Sequence, residues 1–311
     1  MTELAIELKD VEKRFRLNLG VGRRVALDRM NLVVRHGEIY GFLGPNGAGK
    51  TTSIKVLTSL LRQDAGTARV LGGEPGLKET RRRVGFLPES PVFYDHLTGR
   101  EFLHFCGRLC GMERGAIVTR AGRLLERVGL SGSADLQIRR YSKGMNQRIG
   151  IAQALIHDPD LVILDEPMSG LDPIGRAEIR DLILELGREG KTVFFSTHII
   201  PDVEIICDRI GLVNRGRLVA EGSVQELLSK GDATSTEILV SELPPSFSVP
   251  SAQETPAAQG LRLFTVDSED RLRTVLSGIL EQRGRIISVN PRRETLEDLV
   301  VRMIDQDRAA A

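Results

Sequence analysis

The sequence has few cysteines, little net charge and no long hydrophobic run. Its 311 residues include 3 cysteines, and 43 basic side chains are nearly balanced by 42 acidic ones, for a net charge of +1. Three cysteines in apolar surroundings are too few for a disulfide framework. A near-neutral chain has no general attraction to nucleic acid or to an anionic membrane. Because no run of about 18 apolar residues occurs, no transmembrane helix is predicted.

The N-terminus also lacks the pattern of a secretory signal. The first residues, MTELAIELKD, carry charges where a signal peptide needs an apolar run. We therefore expect the chain to remain in the cytoplasm. The 41% hydrophobic content is sufficient for the core of one large globular domain or of two smaller ones.

One stretch, Gly44 to Thr52, reads GPNGAGKTT and fits the phosphate-loop pattern G-x-x-x-x-G-K-[ST]. Its glycines let the backbone approach a ligand closely, so that successive N–H groups form an anion nest. The Lys50 ammonium can reach the β- and γ-phosphates of a nucleotide, and the Thr51 hydroxyl can ligate Mg²⁺. A buried strand at Glu38 to Leu43 and a helix at Thr52 to Leu61 are predicted on either side, which is the context that such a loop requires.

Polar side chains follow two predicted strands further along the chain. The apolar run Leu161 to Leu164 is typical of a buried parallel strand, and it ends in Asp165 and Glu166. A second apolar strand, Thr192 to Ser196, is followed closely by His198. Ligand sites of α/β proteins lie at the carboxyl ends of their parallel strands. This position favours a functional role for the two carboxylates and for the imidazole.

Three more motifs stand in predicted loops. Glu89 lies in a proline-bounded loop, Ser142-Lys143-Gly144 opens a helix, and Asp172 lies in a tight loop before another helix. A helix N-terminus with small residues is an anion site. Phe15, upstream of the phosphate loop, is able to stack on an adenine ring or to pack in the core, and the sequence leaves both interpretations open.

In this order the motifs closely resemble those of the ATP-binding cassette (ABC) ATPases, over about Leu4 to Ser229. The stretches YSKGM, LPES and ETLEDLVVRMI are most similar to exporter ATPases of the daunorubicin-resistance type, whose permease is a separate chain. The resemblance implies an α/β fold of the P-loop NTPase class. It further implies a mixed sheet, an antiparallel subdomain, a helical subdomain and a small C-terminal α+β module.

The resemblance also implies a role for each site residue. Glu166 is expected to orient or deprotonate the attacking water and His198 to contact the γ-phosphate, which makes both catalytic. Mg²⁺ is expected to be held by Thr51, Asp165 and Glu89. The nucleotide is expected to contact Phe15, Gly44, Asn46, Gly47, Gly49, Lys50, Thr51, Thr52, Glu89, Ser142, Gly144 and Asp172. Of these, Ser142 and Gly144 bind the γ-phosphate of ATP held by the other subunit, and Asp172 crosses the dimer.

The sequence departs from the family pattern at three places. Glu89 stands where the family usually has glutamine, which adds negative charge beside the phosphates. The signature reads YSKGM in place of LSGGQ, so that Lys143 adds a cation and Met145 removes an amide. Extra residues separate Phe15 from Ala26.

A change in composition near Gly231 predicts a domain boundary. Residues 1–230 are expected to form the ATP-binding domain, with its helical subdomain at about 89–157. Residues 231–311 are expected to form a small α+β accessory or regulatory module. Its predicted elements are short strands and two amphipathic helices, at Glu269 to Gln282 and at Glu294 to Ile304.

The function that the resemblance implies is the ATP-hydrolysing motor of a membrane exporter, with ATP and Mg²⁺ as cofactors. The chain is expected to form a homodimer through ATP and to bind an integral-membrane permease on the inner face of the cell membrane. The permease contacts the transported substrate, and no nucleic acid is involved. The alternative is a soluble ABC ATPase that acts on DNA or ribosomes, but such proteins usually carry a coiled-coil insertion or two cassettes. A P-loop kinase or GTPase does not account for the SKGM helix.

Overall fold

The computed structural model describes residues 4–16, 22–229, 235–244, 247–249, 252–256, 261–292 and 295–309. They form two compact units, one composed of Met1–Val224 and Met303–Ala311, and the other of Gln225–Arg302. The boundary predicted near Gly231 falls outside the described residues, and it stays a prediction.

The secondary-structure elements alternate between strands and helices through most of the first unit. In chain order they are β1 (Leu4–Arg16), β2 (Arg23–Arg35), β3 (Ile39–Leu43), α1 (Lys50–Leu57), β4 (Ala65–Val70), α2 (Lys78–Arg81), β5 (Val84–Leu87), α3 (Gly99–Leu109), α4 (Arg114–Arg127), α5 (Lys143–Leu155), β6 (Leu161–Asp165), α6 (Pro173–Arg188), β7 (Thr192–Thr197), α7 (Ile200–Ile206), β8 (Arg209–Asn214), β9 (Arg217–Gly222) and α8 (Val224–Ser229). The remaining elements are β10 (Ser235–Ser241), β11 (Gln253–Pro256), β12 (Arg262–Val266), α9 (Glu269–Glu281), β13 (Arg285–Arg292) and α10 (Leu296–Ala309).

A six-stranded mixed sheet in the order β5-β6-β7-β3-β8-β9 positions the motifs. All its neighbours pair in parallel except β8 and β9. Strands β3, β6 and β7 are buried along their whole length, as expected for apolar runs in a parallel sheet that is covered on both faces. Asp165 lies opposite Ser196, and Leu43 lies opposite Thr197. The phosphate loop, the two carboxylates and His198 therefore leave the sheet at the same edge.

A separate antiparallel sheet, in the order β2-β1-β4, lies in the same unit. From Met30 to Val34, strand β2 alternates buried and more exposed residues, as an antiparallel strand with one solvated face does. Leu27, Met30 and Val34 on β2 share one apolar core with Ile54 of α1. This packing holds the antiparallel sheet against the helix that follows the phosphate loop.

Helices α3, α4 and α5 form the helical part of the first unit. Helix α3 begins with a capping box, in which the Thr98 side chain accepts from the Glu101 N–H and the Glu101 carboxylate accepts from the Thr98 N–H. Helices α3 and α4 pack against each other and against α5 through buried side chains such as Phe102, Leu124 and Ile149.

Some predicted bounds were wrong. Helix α1 ends at Leu57, four residues before the predicted Leu61. The reason is that Ser59 takes a left-handed conformation, with a φ of 57°, and the N–H of Leu60 turns back to the Lys55 carbonyl. Helices α2 and α7 and strand β11 were not predicted.

The second unit contains a four-stranded antiparallel sheet in the order β11-β12-β10-β13. Its core joins Ile238, Val240 and Phe264 of the sheet to Val275 and Ile279 of α9. Among the described residues, no helix has the length and apolar character needed to cross a membrane.

Candidate nucleotide site

The phosphate loop connects β3 to α1 in a conformation that its glycines permit. Gly47 and Gly49 have φ angles of 81° and 114°, which side chains rarely adopt. A Cβ at Gly44 would lie 2.3 Å from the Val213 carbonyl oxygen, so only glycine fits there. The Gly44 N–H donates to the carbonyl of Thr197 at the end of β7. The first turn of α1 contains no acidic residue, so that the positive end of the helix is available to an anion.

Lys50 is buried at the base of this loop. Its ammonium donates to the Gly44 carbonyl at 2.7 Å and lies 3.2 Å from Oε1 of Glu166. The two side chains are 6% and 8% exposed. Burying a charge is costly unless it is paired, and each of these two buried charges has the other as its partner.

Asp165 ends β6 beside two hydroxyl groups. The Ser196 hydroxyl donates to Asp165 Oδ1 at 2.6 Å, and Thr51 Oγ1 lies 3.5 Å from the same oxygen. Burial raises the pKa of Asp165, and the charges of Glu89 and Glu166 raise it further, against the hydrogen bonds from Ser196 and Thr51. The site thus has an excess of negative charge that a cation would relieve.

Glu166 joins the phosphate loop to the loop after β7. Its backbone is left-handed, with a φ of 50°, a conformation that costs a non-glycine residue on the order of 1–3 kcal/mol. The Glu166 N–H donates to Ser196 Oγ at 2.9 Å. Its Oε2 lies 2.9 Å from Nδ1 of His198, and because a carboxylate only accepts, Nδ1 carries the proton. The strained backbone aims the carboxylate at Lys50 and His198 together.

These groups border a cleft of about 470 Å³. Its lining residues are Phe15, Arg24, Ala26, Asn46, Gly47, Gly49, Lys50, Thr51, Thr52, Glu89 and Glu166. Phe15 lies near the end of β1 opposite Arg24 and is 40% exposed, so it is a cleft residue and not a core residue.

Six predicted residues are not among those that line the cleft. Three of them, Gly44, Asp165 and His198, lie at or just beyond the ends of β3, β6 and β7. The other three are Ser142, Gly144 and Asp172. Ser142 is exposed and caps α5, with its hydroxyl accepting from the Met145 N–H at 3.2 Å. Asp172 is exposed and caps α6, with its carboxylate accepting from the Gly175 N–H at 2.8 Å. Gly144 lies near Leu171, so the signature loop and the Asp172 loop are neighbours in the same chain. Ser142 and Asp172 are helix caps, and neither they nor Gly144 line the cleft of their own chain.

Two residues of the site had not been predicted. Ser196 contacts both Asp165 and Glu166, and its only signal in the sequence is a hydroxyl at the end of an apolar strand. Arg24 borders the cleft from β2, next to Gly47. No motif marks it, because its position depends on how the antiparallel sheet packs beside the phosphate loop.

The oxygen donors at this site fit Mg²⁺. The Thr51 hydroxyl and the carboxylates of Asp165 and Glu89 are hard oxygen ligands of the kind that Mg²⁺ prefers. Burial is the main cause of the raised pKa of Asp165, and the charges of Glu89 and Glu166 add to it; a divalent cation would offset that repulsion.

Comparison with known proteins identifies the family. A family model for ABC transporters matches residues 27–169. An uncharacterized ABC transporter ATP-binding protein of Synechocystis is 39% identical, over 96% of this chain and 84% of that protein. The chain belongs to the ABC transporter ATP-binding proteins. The predicted family and fold class are therefore confirmed.

A second relative and a solved structure extend the comparison. The daunorubicin resistance ATP-binding protein DrrA3 of Streptomyces coeruleorubidus is 35% identical to this cassette, over 99% of this chain and 98% of that protein. The ATP-binding cassette MJ0796, in a dimeric post-hydrolysis state with ADP and Pi, aligns with a TM-score of 0.65 and 26% identity, over 70% of this chain and 98% of that one. The cassette is an ATP-binding subunit of a transporter and an ATPase.

Proposed function

We propose that this cassette drives a separate integral-membrane permease in the outward direction. The observation that carries the proposal is the full-length match to the daunorubicin resistance protein, which includes the second unit. A transporter ATPase that gives resistance is expected to move its substrate out of the cell. In this proposal the permease contacts the substrate and holds the cassette at the inner face of the cell membrane, and the unit after residue 230 is an accessory module.

The cassette works as a homodimer that encloses two ATP molecules. Lys50 and Thr51 of one copy hold the phosphates, and Ser142 and Gly144 of the other copy complete the γ-phosphate site. The exposure of Ser142, away from its own cleft, supports this division, because a capped helix N-terminus is left available to a second copy. Asp172 at the start of α6 reaches across the same interface.

Within one copy, the cleft accounts for the rest of the nucleotide. Phe15 at the cleft wall stacks on the adenine. The backbone N–H groups of the phosphate loop surround the phosphates, with Asn46, Gly47, Gly49 and Thr52 at the cleft wall and Gly44 where the loop begins. Thr51, Asp165 and Glu89 would hold Mg²⁺, which would neutralise phosphate charge.

Hydrolysis depends on an exchange of partners at Lys50. Phosphate oxygens attract the ammonium away from Glu166 Oε1, which then becomes available to accept a proton from water. His198 holds the other carboxylate oxygen through Nδ1, which leaves Nε2 for the γ-phosphate. The left-handed backbone of Glu166 keeps the carboxylate aimed at this position.

A transport experiment tests the proposal. The gene would be deleted in its host and replaced by the parent or by the Glu166→Gln chain, and efflux of labelled daunorubicin and of a panel of other drugs would be measured. We expect loss of efflux of at least one drug on deletion, with recovery by the parent only. Membranes from the parent strain should also yield the tagged cassette bound to a protein of about six hydrophobic spans. Unchanged efflux with co-sedimentation on ribosomes or DNA would support the soluble alternative instead.

A further inference from the structure

A buried cluster of charges lies between α6 and α7, behind the loop that carries His198. Asp202 on α7 has a side chain that is 3% exposed, and its Oδ1 lies 3.6 Å from Nη1 of Arg180 on α6. Among the described residues, Asp202 Oδ2 and Arg176 Nε are both buried without a hydrogen-bond partner. Two helices thus meet through opposite charges that are only partly paired.

The cluster is costly, and local structure does not require it. A carboxylate in the first turn of a helix stabilises the helix even when the carboxylate is exposed to solvent. The stability of α7 therefore does not require Asp202 to be buried. Burial raises the pKa of Asp202, and the nearby charges of Arg176, Arg180 and His198 oppose this rise. A buried polar atom without a partner loses its hydrogen bonds to water and gains none in the protein, which destabilises the fold. Such costs are concentrated where function needs them.

Two members of the cluster lie shortly after two loops of the proposed site in the sequence. His198 precedes Asp202 by four residues, at the entry to α7. Asp172 precedes Arg176 by four residues and caps α6. Asp202 and Arg176 therefore each lie about one helical turn beyond a loop that is proposed to meet nucleotide or the second copy, and Arg180 lies one further turn along α6.

We infer that Asp202 is a positioning residue, which ties the His198 loop to α6 through Arg176 and Arg180. The inference rests on the roles proposed above for His198 and Asp172. The two partnerless atoms belong to groups of opposite charge, so a shift of α7 that brings them together would pair Asp202 Oδ2 with Arg176 Nε. When His198 is drawn to the γ-phosphate, this contact transmits the shift to Asp172 at the dimer interface.

The variants Asp202→Asn and Arg180→Gln test the inference in steady-state ATPase assays, with ATP affinity measured separately by fluorescent nucleotide. The asparagine keeps the size of the side chain and removes its charge. We expect kcat to fall about tenfold or more, while the Kd for ATP stays within about twofold, because the phosphate loop is not altered. The double variant should lose no more than the single variants, since both remove the same contact.

A matched control separates positioning from general stability. Glu185 lies on α6, far along the helix from Asp172, and forms an ion pair with Arg127 of α4. The variant Glu185→Gln removes this pair. It should leave kcat unchanged. Arg180 is 26% exposed, so Arg180→Gln should fold even if Asp202→Asn does not.

Two results would overturn the inference. One is a folded Asp202→Asn or Arg180→Gln chain with the parent kcat. The other is a parallel decline of Tm, ATP affinity and kcat, which would indicate a structural ion pair only. His198→Ala distinguishes failure of the inference from failure of the proposed site. If His198→Ala inactivates the enzyme and Asp202→Asn does not, the positioning role alone is wrong, whereas a fully active His198→Ala chain would remove the proposed site itself.

Discussion

Lys50 and Glu166 form a buried ion pair across the base of the phosphate loop, with Nζ 3.2 Å from Oε1. The Glu166 carboxylate thus pairs with the cation that is proposed to bind the phosphates of the nucleotide. The second carboxylate oxygen lies against His198 Nδ1. ATP must therefore replace Glu166 as the partner of Lys50, and one event both anchors the phosphates and frees the proposed base.

Lys50→Ala should abolish ATP binding. The variant removes a buried cation that faces the phosphates, and charge-assisted hydrogen bonds are worth about 1.5–3 kcal/mol each. The loss in affinity is expected to exceed a hundredfold in titrations with fluorescent ATP. Lys55→Ala is the control, because Lys55 lies on the same helix with its side chain exposed. Equal affinity in the two variants would rule out the phosphate-loop assignment.

Phe15→Ala should weaken ATP binding by about tenfold, since stacking of a base on an aromatic ring contributes about 1–3 kcal/mol. The affinity for GTP should fall by a similar factor, because stacking depends little on the identity of the base. Phe15→Tyr keeps the ring and should bind as the parent does. Phe15 is 40% exposed, so the Tm should change little in either variant. An unchanged Kd for Phe15→Ala would place the adenine elsewhere.

Asp165→Asn should stabilise the nucleotide-free chain while it removes ATPase activity. An acid whose pKa is raised by folding destabilises the fold most at pH values above that raised pKa, where it is ionised in both states. This cost decreases as the pH falls below the raised pKa of the folded state. It disappears below the pKa of the unfolded state, about 4, because the group is then protonated in both states. We expect a Tm increase on the order of 2–4 °C at neutral pH, which shrinks as the pH is lowered.

Thermal unfolding of the parent and of Asp165→Asn across a pH series measures this effect. Asp160→Asn is the control, since Asp160 forms an exposed pair with Arg83 just before the same strand. If the two variants have the same pH profile, the raised pKa of Asp165 does not contribute to stability.

The sequence was sufficient for the strands that carry the site, but not for all the connections between them. The continuous apolar runs at Leu161 to Leu164 and Thr192 to Ser196 can be stable only as buried strands, so β6 and β7 were predictable. Helix α7 was missed because Pro201 interrupts the pattern. Proline is tolerated in the first helical turn, where its missing N–H needs no partner, and the structure uses this exception.

Some residues of the candidate site could be identified from the sequence, and others could not. Lys50, Asp165 and Glu166 stand out in the sequence because their chemistry is unusual beside glycines or at the end of an apolar strand. Ser196 does not stand out, since its contact with Asp165 arises from the register of two strands that are distant in the chain. The roles of Ser142 and Asp172 stay predictions, because they concern a second copy of the chain.

Glu166→Gln should bind ATP at least as tightly as the parent, hydrolyse it far more slowly and remain dimeric. Glutamine keeps the size of the side chain and can occupy the same left-handed backbone, but it cannot hold Lys50 by charge or accept a proton from water. Loss of the charge pair makes Lys50 more available to the phosphates. Loss of the proton acceptor slows hydrolysis, and we expect its rate to fall by about a hundredfold or more.

The oligomeric state of this variant tests the shared site. The surfaces proposed to face each other carry the exposed polar residues Ser142 and Asp172, so association without nucleotide should be weak. In the proposed dimer, Lys50 of one copy and Ser142 of the other contact the γ-phosphate of ATP, so size-exclusion chromatography with ATP should show a dimer. ADP lacks the γ-phosphate and is the matched control, and it should leave a monomer. Ser142→Ala in the Glu166→Gln background should weaken the dimer without changing ATP binding to the monomer, because Ser142 lies outside its own cleft. A Glu166→Gln chain that stays monomeric with ATP, or that hydrolyses at the parent rate, would contradict both the catalytic role of Glu166 and the enclosure of ATP between two copies.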